Sequence, residues 1–123
     1  MTIDANIVIA YLAGEQKIIQ TLSEWRTEGK SLFLSTVAET EVLSFSQWSD
    51  AERRNTEIFP AENFFSIPFD RVLARIAADI RRTTKIKFPD AAIAATALHT
   101  YTPLVTRNIR DFKNIPELEL LNL

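Results

Sequence analysis

Asp4, Glu41, Asp90 and Asp111 are spread along the chain, yet each stands where a strand or turn hands over to a helix. Their contexts are Ile3-Asp4-Ala5-Asn6, Ala38-Glu39-Thr40-Glu41, Phe88-Pro89-Asp90-Ala91 and Ile109-Arg110-Asp111-Phe112. Open α/β folds gather their sites at the carboxyl ends of parallel strands. Carboxylates collected there repel one another unless a cation lies between them. Their hard oxygen donors suit Mg²⁺ or Mn²⁺. A divalent ion in an acidic cup is an arrangement that cleaves phosphodiester bonds.

Each acid has a plainer reading beside this one. Asp4 and Asp90 suit the first turn of a helix, where a carboxylate caps free N–H groups and meets the positive end of the helix dipole. That role is compatible with metal binding, because a carboxylate at a strand end points into the cleft. Glu41 is harder to explain away. At about 100° per residue on a helix from Thr36, Val37, Ala38, Val42 and Phe45 share a face, and Glu41 falls between Val37 and Phe45 on it. Glu39 points away. A carboxylate on a buried face is costly unless it is paired or bound to a metal. Asp111 and Asn108 suit turn chemistry, and Thr106 suits a strand end or can supply a hydroxyl.

Other chemistries find no support. His99 is the single histidine, near a helix end, and it has no nucleophile to form a triad. There is no glycine-rich phosphate loop. The aromatic pairs Phe45/Trp48 and Phe64/Phe65 read as core.

The elements that must position these acids follow from periodicity. Thr2-Ile3 reads as a short strand end and Asn6 to Leu12 as a helical turn. Gln16 to Glu28 reads as a surface helix stopped by Gly29. Leu32 to Leu34 is a buried strand, and Thr36 to Phe45 a helix. Ser49-Asp50-Ala51-Glu52 is a capping box opening a helix that ends before Pro60. Phe64 to Ile67 reads as a strand. Asp70 caps a helix with Val72, Leu73, Ile76, Ala77 and Ile80 on one face. Ala91 to His99 is apolar nearly all round, so it is expected to be buried. Leu104 to Thr106 and Leu118 to Leu120 complete the strands, with a turn between them. Strands alternating with helices imply a parallel sheet covered on both faces.

The length of 123 residues suits one domain, and 46% hydrophobic content is enough for a core. Two glycines and five prolines leave little room for linkers. No stretch reaches the ~20 apolar residues of a membrane span, and no signal peptide is expected at the N-terminus. The absence of cysteine rules out disulfides and thiolate metal sites and is compatible with the cytoplasm. The net charge of −2 is unlike that of most nucleic-acid binders. The basic residues nevertheless cluster beside two of the acids: Arg81, Arg82, Lys85 and Lys87 before Asp90, and Arg107, Arg110 and Lys113 around Asp111. Solvated helix ends are the plain reading of those charges.

At these residues the chain resembles the PIN-domain ribonucleases, and especially the VapC-like toxins of bacterial toxin–antitoxin pairs. The first motif is matched by Asp4-Ala5-Asn6 after an apolar strand, with Ala5 where a hydroxyl residue is common. Ser35 at a strand end and Glu41 on the next helix match the second. Asp90-Ala91-Ala92-Ile93-Ala94 matches the third, and Thr106, Asn108, Asp111 and Phe112 the last. The resemblance spans nearly the whole chain.

It implies a single PIN-like domain over residues 1–123, built as a three-layer α/β/α sandwich on a short, mainly parallel sheet. It implies Mg²⁺/Mn²⁺-dependent endoribonuclease activity, a homodimer, and a small antitoxin that blocks the site. Asp4 and Asp90 would then hold the metal most directly, with Glu41 and Asp111 completing the cup. Asn6, Thr106 and Asn108 would support it. Arg81, Arg82, Lys85, Lys87, Arg107 and Arg110 would hold the RNA backbone. The alternative is a PIN-like fold kept only to bind RNA or a partner. A receiver-like phosphoryl switch is disfavoured, because it needs paired acids after the first strand.

Overall fold

A computed structural model describes residues 1–123. The elements run β1 (Thr2–Ile3), α1 (Ala5–Leu12), α2 (Gln16–Thr27), β2 (Phe33–Ser35), α3 (Thr36–Leu43), α4 (Asp50–Asn63), β3 (Phe65–Ile67), α5 (Arg71–Thr83), α6 (Phe88–Thr100), β4 (Leu104–Val105), α7 (Ile109–Phe112) and β5 (Leu120–Leu121). The five strands form one sheet in the order β3-β2-β1-β4-β5. Every pairing is parallel, so the expected mainly parallel sheet is entirely so. The chain moves one way from β1 through β2 to β3, then crosses to β4 and β5 on the other side of β1. Right-handed crossovers send the two sets of helices to opposite faces of the sheet. The reversal falls between β1 and β4, which is where open α/β sheets form their crevice.

The core explains the apolar runs. Ile3, Leu34, Leu104 and Val105 are buried in the strands, and all seven residues from Ala91 to Ala97 are buried in α6. Small side chains let α6 lie close to its neighbours, and α5 packs mainly on it. Leu73, Ala77 and Ile80 of α5 are buried at helical spacing. Asp70 caps α5 by accepting from the Leu73 N–H at 3.1 Å. The capping box is present, with Ser49 and Glu52 exchanging side-chain and backbone bonds. Gly29, at φ +81, follows α2.

Several expectations shift. The helix from Asp50 does not end before Pro60 but runs through it to Asn63. Pro60 lies near the C-terminal end, so the one bond it forgoes and any kink it imposes affect only the last turn, and the residue is buried. Val72 is 51% exposed and leaves the buried face of α5 to Leu73, Ala77 and Ile80. The helix α6 opens at Phe88 rather than Ala91, with Pro89 in a first turn that needs no donor from it. The helix α3 stops at Leu43, and the turn around Asp111 is the short helix α7. Strands β2 and β5 lie slightly later in the sequence than expected.

Candidate active site

Asp4 follows β1 directly and is the N-cap of α1. Only 4% of it is exposed. One carboxylate oxygen accepts from the Ala5 N–H at 2.7 Å, and the other from the Thr106 hydroxyl at 2.7 Å. Thr106 follows β4, so this bond joins residues 102 apart in sequence across the reversal point of the sheet. The Asp4 N–H also donates to the Val105 carbonyl at 3.0 Å. The Thr106 oxygen accepts from the Asn108 N–H at 3.0 Å and, more loosely, from the Asn6 side-chain amide at 3.4 Å. The three residues expected to support the site are thus hydrogen-bonded around Asp4.

Glu41 lies on α3, whose first turn is fixed by Ser35 accepting from the Val37 N–H at 3.1 Å. Glu41 is half-buried. Glu39, expected to point away, is partly buried as well. Asp90 is half-buried in the first turn of α6. Asp111 sits exposed on α7.

The four carboxylates lie in one another's electrostatic field. Burial pushes the Asp4 carboxyl above the ordinary aspartate range; Thr106 and Ala5 pull it back, and the charge of Asp111 pushes it up again. Burial raises Glu41, and so do Asp4 and Asp90. Burial raises Asp90 as well, followed by Asp4 and Asp111, with Lys87 opposing them. Asp4 and Asp90 are therefore the centre of the set, and Glu41 and Asp111 flank it. None of the four takes part in an ion pair. A nearly buried carboxylate with no cationic partner is an unstable arrangement at neutral pH unless it takes up a proton or a cation.

An all-oxygen donor set fits a hard divalent ion rather than a thiophilic one. The single histidine, His99, is exposed in the last turn of α6, at the other end of that helix. No three acidic side chains form a ready-made coordination shell in the conformation described. The donor chemistry of the four carboxylates fits such an ion.

The expected basic residues divide. Arg107 is held by Glu15 through two bonds of 2.8 Å, and its Nε donates to the Leu123 carbonyl at 3.2 Å. Arg82 pairs with Asp79. Arg81 donates to the Ile86 carbonyl at 3.3 Å. Lys85, Lys87 and Arg110 line a cavity with Asp90 and Asp111. Asn114 lines the same cavity and was not expected there. It belongs to none of the four family motifs, and no local pattern marks it.

The acids thus gather at the reversal point of an open parallel sheet, where α/β folds carry their sites. The PIN-domain family profile matches residues 1–118. The chain is 30% identical to a Rickettsia bellii protein named Ribonuclease VapC, over 100% of this chain and 96% of that protein. It is 29% identical to Ribonuclease VapC19 of Mycobacterium tuberculosis, over 95% of each. Among solved structures it resembles VapBC2 from Rickettsia felis bound to a promoter DNA fragment, with a TM-score of 0.85 and 22% identity over 99% of this chain and 97% of that one. A toxin–antitoxin complex from Klebsiella pneumoniae gives a TM-score of 0.78 at 27% identity, covering 95% and 93%. The chain belongs to the PIN-domain family and, within it, groups with the VapC ribonucleases.

Proposed function

We propose that this chain is an endoribonuclease dependent on Mg²⁺ or Mn²⁺, acting as the toxin of a toxin–antitoxin pair, with residues 1–123 as one PIN-like domain. The observation that carries the reading is the buried, unpaired Asp4 carboxylate, in one field with Glu41, Asp90 and Asp111. The VapC ribonuclease relatives support RNA as substrate. The toxin–antitoxin complex among the similar structures supports a small antitoxin partner. No helix is long and apolar enough to cross a membrane, and action in the cytoplasm suits an RNA target. A homodimer remains part of the proposal on family likeness.

In this reading Asp4 and Asp90 hold the metal, and Glu41 and Asp111 complete its surroundings. A divalent ion held by them would supply charge stabilisation at the phosphodiester and a more acidic water. The chain's own work is positioning. Thr106 fixes the Asp4 carboxylate by donating to one oxygen, while the Ala5 N–H fixes the other. Asn6 and Asn108 hold the Thr106 hydroxyl so that its proton points at Asp4. Cations beside Asp90 and Asp111 offset the repulsion between four carboxylates and a polyanionic strand.

The test is cleavage of labelled single-stranded RNA with Mg²⁺, with Mn²⁺ and after chelation. Cleavage present with the ions and lost with chelator is expected. RNA retention without any metal-dependent cleavage would leave the binding-module alternative instead.

A further inference from the structure

Lys85, Lys87 and Arg110 differ from the other cations near the site. None of them takes part in an ion pair, although Asp90 and Asp111 line the same cavity. That cavity has a volume of about 300 Å³, at the lower end for small-ligand pockets. Thr84 to Lys87, joining α5 to α6, form one wall, and α7 with Asn114 forms the other. Ile86 and Ile115 add apolar surface, and Ile115 is itself buried. Three uncommitted cations and an amide therefore converge on one concavity whose edge is the candidate metal site.

We propose that this cavity is a phosphate subsite: Lys85, Lys87 and Arg110 hold the backbone phosphate next to the one that is cleaved. The inference rests on the ribonuclease reading and extends it from general backbone contact to a single phosphate. Asp90 and Asp111 line the cavity and Asp4 and Glu41 do not, so the candidate metal site borders it on the Asp90 side: the cleaved phosphate would lie there and a neighbouring one beside Lys85, Lys87 and Arg110. Arginine offers a fork of donors to phosphate oxygens, and lysine a mobile point charge. The apolar pair Ile86 and Ile115 suits the ribose between the two phosphates. Ordered phosphate contacts fix the register of the strand without reading bases. Arg82 and Arg107 do not line this cavity, and each is paired on the surface, with Asp79 and Glu15.

The experiment scans RNAs in which one phosphate at a time is replaced by neutral methylphosphonate, cleaved by wild-type protein and by Lys87→Gln/Arg110→Gln. In wild type, neutralising one phosphate adjacent to the cleaved bond raises KM about tenfold, with kcat changed far less. In the double variant KM is raised already, and that replacement costs nothing further. Arg54→Gln, on α4 and outside this cavity, keeps the wild-type pattern. Anisotropy with Asp4→Asn protein checks binding alone: the double variant lowers the log–log salt slope by about 0.7 for each phosphate charge it no longer neutralises. Equal penalties at every phosphate, or a full additional penalty in the double variant, overturn the subsite while leaving the nuclease intact. A wild-type protein that neither binds nor cleaves RNA overturns both readings. Matching melting temperatures establish that these exposed substitutions leave the fold unchanged.

Discussion

The two ends of the same sheet treat buried polar groups in opposite ways. At the amino end of β1, the buried Thr2 hydroxyl bonds to Thr102 at 2.7 Å and to Thr100 at 3.2 Å, and those two bond to each other at 2.9 Å. Thr100 also donates to the Thr96 carbonyl at 2.9 Å. Those hydroxyls are neutral and satisfied within the protein. Two residues further along, the carboxyl end of β1 carries Asp4, which is also buried and is ionisable, with no counter-ion. Its hydrogen bonds are complete, and no buried side-chain polar atom in the chain lacks a partner. Hydrogen bonding alone does not separate the two ends. The difference is an ionisable group with no counter-ion in the chain, and that makes one end the candidate site and the other a clasp.

The largest effect expected comes from removing that charge. Asp4→Asn and Asp90→Asn each keep the shape of the side chain and discard an ionic ligand. Charge stabilisation by a metal is worth several kcal/mol, and each ~1.4 kcal/mol is tenfold, so cleavage should fall at least about a thousandfold. The folded state should survive, because each change relieves repulsion. Wild-type rates from both variants would sink the assignment of the site to this end of the sheet.

Glu41→Gln comes next, with cleavage lowered by roughly ten- to a hundredfold, since a flanking carboxylate supplies less of the field. Glu39→Gln is expected to cleave as wild type does. The charges of Asp4 and Asp90 act on Glu41. Kinetic assays of the two purified variants side by side decide the matter, and the reverse outcome would move the site to the other face of α3.

A smaller effect sharpens the contrast through pH. Asp4, Glu41 and Asp90 have carboxyls raised by burial and by one another. A group whose folded pKa lies above its unfolded value gives stability that is fully present below the unfolded pKa, about 4. That stability is lost as pH rises through the folded value. Metal-free protein should therefore melt higher as pH falls from neutral toward about 5, before other carboxylates intervene. Asp4→Asn/Asp90→Asn should flatten this slope. Saturating Mg²⁺ should raise the melting temperature at neutral pH in wild type and leave the double variant unmoved. Melting curves across pH, with and without Mg²⁺, read all of these, and a wild type that loses stability steadily from about pH 7 to 5 contradicts them.

The contrast between the two ends was only partly legible in the sequence. Alternating strands and helices implied the parallel sheet, and helical phase separated Glu41 from Glu39, because both are local patterns. The Asp4–Thr106 bond spans 102 positions, and no periodicity encodes which strand lies beside β1. The resemblance brought those residues together where local reasoning could not. Pro60 misled because the rule against interior proline weighs one lost bond and takes no account of a buried ring. Val72 misled because a helix face has a width, and the edge of α5 reaches solvent while Leu73 does not. The cavity beside Asp90 combines a loop and a short helix, so Asn114 carried no signal of its own.

The smallest effect tests the clasp itself. Thr2→Val keeps a β-branched side chain of nearly the same shape in a strand and removes one hydroxyl. The Thr100 and Thr102 hydroxyls still have each other, and Thr100 still has the Thr96 carbonyl, so no buried donor is stranded. The cost should then be the net worth of two neutral hydrogen bonds, about 1–2 kcal/mol, not the larger penalty of an unsatisfied group. For a domain of this size that lowers the melting temperature by a few degrees. RNA cleavage at saturating metal should stay at the wild-type rate, because the substitution alters no charge, and the pH slope of stability should be unchanged. If Thr2→Val lowered cleavage as well as melting, the two ends of β1 would be mechanically coupled. In that case the hydroxyl cluster would help to set the position of Asp4, two residues away along a strand only Thr2 and Ile3 long.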